Sequence, residues 1–150
     1  VMRLCGWPAE QVPQNVGRYK LDTESGSLPI FIKYEASQYG DRFLNPGEIE
    51  WFSKNNRSLK SNEFRWLLDG TERTPEWQNR HFVPIFIRRK AEEQEKSYYF
   101  VGSAVALDDV RASVNPGEDG SESKVVISTL KLIKPVDPEL YRHLTGKSAL

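Results

Sequence analysis

Apolar residues in this chain recur at every second position over short runs, and that pattern restricts it to strands. The longest case is Lys124 to Ile133, where Val126, Ser128, Leu130 and Leu132 alternate with Val125, Ile127, Thr129 and Lys131. Side chains on a strand point to opposite faces with a period of two, so this run predicts a long half-buried strand, stopped by Pro135. Leu28 to Tyr34 repeats the pattern, with Ile30 and Ile32 on one face and Pro29, Phe31 and Lys33 on the other. After the Pro46-Gly47 turn, residues 47–53 place Ile49 and Trp51 on one face, Glu50 and Phe52 on the other. Phe82 to Arg88 and Tyr98 to Leu107 read as two further strands around the charged loop Lys90 to Lys96, with Gly102 suited to a bulge. Tyr19 to Asp22 reads as a short strand before a turn. Two helical signals interrupt this succession. Ser61 can cap the run Asn62 to Leu68, whose inward stripe is Phe64, Leu67 and Leu68, and Gly70 can end it. Pro138 to Leu144 starts with Pro at a first helical position. Five or six strands with one or two short helices predict an α+β, mainly β domain: a curled sheet or small β-barrel.

At 150 residues the chain matches about one ordinary domain. Val1 to Asn15 holds Trp7-Pro8 and Pro13 without periodicity and begins without Met, so it reads as a linker or the end of a preceding domain, with a single domain over residues 16–150. One cysteine, Cys5, leaves no internal disulfide and no cysteine-based metal cluster, which suits a reducing cytoplasm. His81 and His143 are too few and too far apart for a ligand motif. Apolar runs fall short of the roughly eighteen residues that span a bilayer, and the first residues lack signal-peptide features, so the expectation is a cytoplasmic protein without a membrane partner. Lys plus Arg and Asp plus Glu both number 21, so no global field draws the chain to nucleic acid. The distribution is uneven, however. Lys54, Arg57, Lys60 and Arg65 face the single anion Glu63 in one stretch, and Arg88-Arg89-Lys90 form a second cationic cluster.

The stretch from Phe43 to Ser61 carries the most chemistry, because it joins a turn, an aromatic strand and a cationic, amide-rich loop. Aromatic faces stack on bases, amides read base edges, and Lys or Arg beside them neutralise the backbone. The alternative is that Trp51 is core and the polar run a solvated turn.

The ordered set Asn15-Val16-Gly17-Arg18-Tyr19, Pro29-Ile30-Phe31-Ile32-Lys33-Tyr34, Phe43-Leu44-Asn45-Pro46, Trp51-Phe52-Ser53-Lys54-Asn55-Asn56-Arg57, Val83-Pro84-Ile85-Phe86-Ile87-Arg88-Arg89 and Tyr98-Tyr99-Phe100-Val101-Gly102 resembles a known family. This is the C-terminal domain of bacterial helicases that carry an N-terminal phospholipase-D-like nuclease, the modification-dependent restriction enzymes of the SauUSI kind. The resemblance covers roughly Trp7 to Leu107. It implies a PUA/SRA-like barrel that recognises methylated or hydroxymethylated cytosine in double-stranded DNA, beside helicase and nuclease domains of the same polypeptide. The chain itself has no Walker A loop, helicase motif or phospholipase-D signature, so the resemblance implies a reader without catalytic residues or a cofactor of its own.

An SRA-like reader extrudes the base into a pocket that needs a stacking wall, hydrogen-bonding groups and a recess for the C5 substituent. Trp51, with Tyr34 or Tyr99 as a second wall, would stack; Ser53, Asn55 and Asn56 would hydrogen-bond; Lys54, Arg57, Lys60, Arg88 and Arg89 would bind phosphates. Two other classes compete. Asp41, Glu48, Glu50 and Lys54 have the residue types of a metal-dependent nuclease, while Cys5 with His81 or His143 lacks an activating context for a nucleophilic pair. Trp66 and Trp77 would serve a protein-docking module.

Overall fold

The computed structural model describes residues 19–34, 41–72, 74–89, 98–116 and 121–146. Six strands form one sheet: β1 (Ile30–Tyr34), β2 (Arg42–Asn45), β3 (Glu48–Phe52), β4 (Pro84–Arg89), β5 (Tyr99–Pro116) and β6 (Glu122–Leu132), in the spatial order β1-β4-β5-β6-β3-β2. Only β1 and β4 pair in parallel; the remaining pairs are antiparallel. The sheet curls into a half-barrel, and three short helices complete the described residues: α1 (Asn62–Leu67), α2 (Pro75–Arg80) and α3 (Pro138–Thr145). This is the mainly β, curled-sheet architecture that the alternating runs predict. Residues 1–18, with the boundary near Asn15 and Cys5, and the loop Lys90 to Lys96 lie outside the described residues.

The two-residue alternation sets the faces. Ile30, Ile32 and Tyr34 of β1, Ile49 and Trp51 of β3, Ile85 and Ile87 of β4, and Val126, Leu130 and Leu132 of β6 all enter the main core, where Phe64, Leu67 and Trp77 from the helices meet them. The opposite face is also partly covered. Phe31 and Phe86 form one cluster there, and Phe52, Val125 and Ile127 form another.

β5 runs well beyond Leu107, through the polar stretch Asp108 to Asn115. The charges in that stretch are matched both across strands and within β5. Lys131 Nζ lies 3.3 Å from Asp108, and Arg111 reaches both Asp109 at 2.8 Å and Glu50 of β3 at 3.5 Å. An irregularity between Asp108 and Arg111 puts Asp109 at φ 50°, the local left-handed turn of a bulge that increases twist. Gly102 sits at a second irregularity, with φ 130° opposite Ile85. The Arg42–Asn45 strand and helix α2 are absent from the sequence expectations, since Arg42-Phe43-Leu44-Asn45 is too short to show a period and only Trp77 of α2 is buried. Ser61 holds the cap position of α1, but its Oγ accepts from Ser58 N and makes no bond to the helix. Asp137 caps α3 in the usual way, accepting from the amides of Glu139 and Leu140.

Candidate nucleic-acid interface

The chain leaves β3 at Phe52 and is tied at once to the start of β6. Ser53 N donates to Val126 O, Ser53 Oγ accepts from Val126 N at 2.8 Å and donates to Lys54 O, and the amides of Asn56 and Arg57 both donate to Lys124 O. Asn56 takes a left-handed conformation, φ 62°, which an Asn tolerates better than most residues. These bonds fix the direction in which Lys54, Asn55, Asn56 and Arg57 leave the sheet.

A buried carboxylate organises the base of this loop. Glu63 Oε2 accepts from Tyr19 Oη at 2.7 Å and from Arg57 Nε at 3.0 Å, and Tyr19 Oη in turn accepts from Lys54 N at 3.0 Å. Lys54 Nζ sits 4.6 Å above the centre of the Tyr19 ring, a cation–π distance. The phenol of Tyr19 is pushed well above its ordinary pKa, chiefly by burial, so it stays a donor to Glu63. The hydrogen bond that Arg57 donates to Glu63 raises the Arg57 pKa and so favours its protonated state. Above this network lies a cleft of about 570 Å³, lined by Tyr19, Lys20, Leu21, Lys54, Arg57 and residues 61–63. Three cations and one anion line it, and that anion is already engaged by Arg57 and Tyr19, so the cleft is cationic. Tyr19 and Glu63 were not among the residues singled out from sequence; their contact joins positions 44 residues apart, and no local pattern signals it.

Several predicted site residues fall elsewhere. Trp51 is 0% exposed. Its ring packs against Tyr19, edge-on at 5.2 Å, and against Phe64 at 5.7 Å, so the indole is core and offers no face to a base in this structure. Ser53 is buried and spent on joining β3 to β6. Tyr34 is buried against Phe43, and burial raises its phenol pKa. Tyr99 lies beside α3, with its Oη 3.3 Å from His143 Nε2. Trp51 and Tyr34 are thus both enclosed in the main core, and Tyr99 lies apart from it beside α3. The structure does bring together Lys54, Asn55, Asn56 and Arg57, with Lys60 exposed at the tip of the same loop. Arg88 and Arg89 are remote from that group. Ile87 pairs with Tyr99 at the start of β5, whereas Phe52 pairs with Ile127 opposite Arg111, a dozen positions further along that strand. At roughly 3.3 Å per residue this approaches 40 Å of contour, shortened by the curl.

The carboxylates considered for a metal site are otherwise engaged. Asp41 accepts from Phe52 N at 2.7 Å, Glu48 accepts from Asn45, and Glu50 pairs with Arg42 and Arg111. Among the described residues no three His, Cys, Asp or Glu side chains are grouped to hold a metal ion. The aromatic surface considered for docking is largely internal. Trp77 is fully buried and donates to Leu67 O, and the half-buried Trp66 packs on His81. No helix among the described residues is long and apolar enough to cross a membrane.

Comparison with known families gives one match. The model of a domain of unknown function, DUF3427, matches residues 1–144. No curated protein matches the chain.

Proposed function

Because this chain belongs to the DUF3427 family over residues 1–144, we propose that it is a DNA-reading domain of the PUA/SRA-like kind, which binds duplex DNA at the cleft beside Lys54 and Arg57 and discriminates modified cytosine. The observation that carries this reading is the cationic cleft itself. Lys20, Lys54 and Arg57 converge there, Glu63 braces Arg57, and Asn55 and Asn56 stand exposed next to them. Guanidinium and ammonium groups suit phosphates, and amide side chains suit base edges. The curled β-sheet agrees with a PUA-like domain, and the resemblance to the readers of modification-dependent restriction helicases supplies the base class. In that setting the chain carries neither a catalytic residue nor a cofactor; the helicase and nuclease of the same polypeptide, in the cytoplasm, would do the cutting.

Trp51 does not enter this reading as a stacking wall, because its ring is enclosed by Tyr19 and Phe64. Asn55 and Asn56 carry the base-reading role, and Lys54, Arg57 and Lys60 the phosphate role. The test is a titration with duplexes that differ only in methylation of one cytosine. Arg57→Ala should weaken both duplexes about equally, whereas Asn55→Ala with Asn56→Ala should reduce the preference for the methylated one. Equal affinity of the parent for both duplexes would refute modification reading, and no duplex binding at low salt would refute the interface.

A further inference from the structure

The opposite face of the sheet, at the other end of β5, holds a second arrangement that the cleft does not use. β1, β4 and β5 each place one phenylalanine there in direct register: Phe31 pairs with Phe86, and Phe86 with Phe100. The rings make a row across the strands, with centroids 5.3 Å and 5.4 Å apart. Exposure opens along the row, from 4% at Phe31 and 2% at Phe86 to 51% at Phe100. Two positions further along β4, on the face of Phe86, lies Arg88. It is 8% exposed, its guanidinium sits 4.7 Å above the ring of Tyr98, and its buried Nε has no hydrogen-bond partner among the described residues. Among those residues no carboxylate lies within ion-pair distance of it either. Lys33 of β1 is its register partner.

A buried guanidinium with no anion among its described neighbours is costly, and a ring quadrupole compensates only in part. An anion is therefore the ligand chemistry that Arg88 fits, and an open aromatic face beside it fits a planar, apolar group. Phe100 is the cross-strand partner of Phe86 and Arg88 lies two residues beyond Phe86, so Arg88 and Phe100 are diagonal neighbours about 7–8 Å apart, a span that a nucleobase and its own phosphate can bridge. We propose that this face is a second nucleic-acid contact, specific for an unpaired strand, in which one base stacks on Phe100 and its phosphate meets Arg88. The site is separate from the cleft and does not depend on modified cytosine. Single-stranded DNA is chosen over an acidic peptide because the row of rings ends in a half-exposed face at Phe100, which suits a planar base.

The experiment titrates the whole chain with a short single-stranded oligonucleotide carrying one 2-aminopurine, whose fluorescence is quenched on stacking. Saturable quenching is expected. Phe100→Ala should weaken it about ten-fold, without a change in thermal melting because that ring is half exposed. Arg88→Gln should weaken it and lower the salt slope by about one. Arg57→Ala should leave it within about two-fold of the parent, which separates this site from the cleft. Quenching that survives Phe100→Ala unchanged, or that disappears with Arg57→Ala, overturns the proposal. So does binding of an oligoglutamate peptide that depends on Phe100 when the oligonucleotide does not bind.

Discussion

Trp51 and Tyr19 meet edge-on, yet they belong to different tasks: the indole fills the core, and the phenol bridges that core to the cationic loop. Trp51→Ala should lower stability by about 3–5 kcal/mol through the cavity it leaves, with any loss of DNA binding following the unfolded fraction; a denaturant titration beside a binding titration checks this. Tyr19→Phe removes a hydroxyl that donates to Glu63 and accepts from Lys54 N, and should cost about 1–3 kcal/mol. It should also alter behaviour in alkali. The folded state raises the Tyr19 pKa above the ordinary value of 10.0, so its contribution is complete below that pH and is lost as pH rises through the folded value. Parent stability should therefore decline above about pH 10, and Tyr19→Phe should decline less steeply in the same chemical-denaturation series. The grouping of Lys54, Asn55, Asn56 and Arg57 was legible because they are neighbours in one loop. Whether Trp51 faces a pocket or the core was not, since alternation assigns a residue to a face without saying what covers that face.

Among the elements, strand faces were legible and strand partners were not. The Ile30–Ile32 and Val126–Leu132 alternations predict the faces that enter the main core. The half-buried strand expected over Lys124 to Ile133, however, is buried on both faces from Val125 to Leu130, because Val125 and Ile127 pack with Phe52 on the other side. Nothing local shows that β3 lies against β6, or that β1 and β4 run parallel. The continuation of β5 past Leu107 was hidden by Asp108 and Asp109, whose partners Lys131 and Arg111 become neighbours only once the strand is paired or bulged. Gly102 was legible as a bulge residue, and its φ of 130° is one that L side chains rarely adopt. A Cβ there would meet nothing within 4 Å, so the penalty for Gly102→Ala is one of backbone conformation and not of crowding. It should amount to about 1–3 kcal/mol, and repacking nearby side chains should not relieve it; urea midpoints of the single variant and of a variant with Ile85 also changed to Val check this by their additivity.

For the whole molecule, zero formal net charge means that the proposed affinity for DNA would rest on local cations alone. With Lys54, Arg57 and Lys60 as the phosphate contacts, log affinity for duplex should fall against log salt with a slope of about three, measured by fluorescence anisotropy over a salt series. A much steeper slope would place additional cations on the same duplex, and a flat one would indicate a protein partner. The sheet order has a further result, which concerns the time course of folding. β6 lies between β5 and β3, so the hairpin of β2 and β3 has no sheet to join until the later β5–β6 hairpin exists. The contacts that enclose Trp51 are thus of high sequence separation, and loop closure has to precede them. Early in folding, β3 keeps an unpaired edge, and the same strand whose far end carries the cationic loop is the one most open to wrong partners.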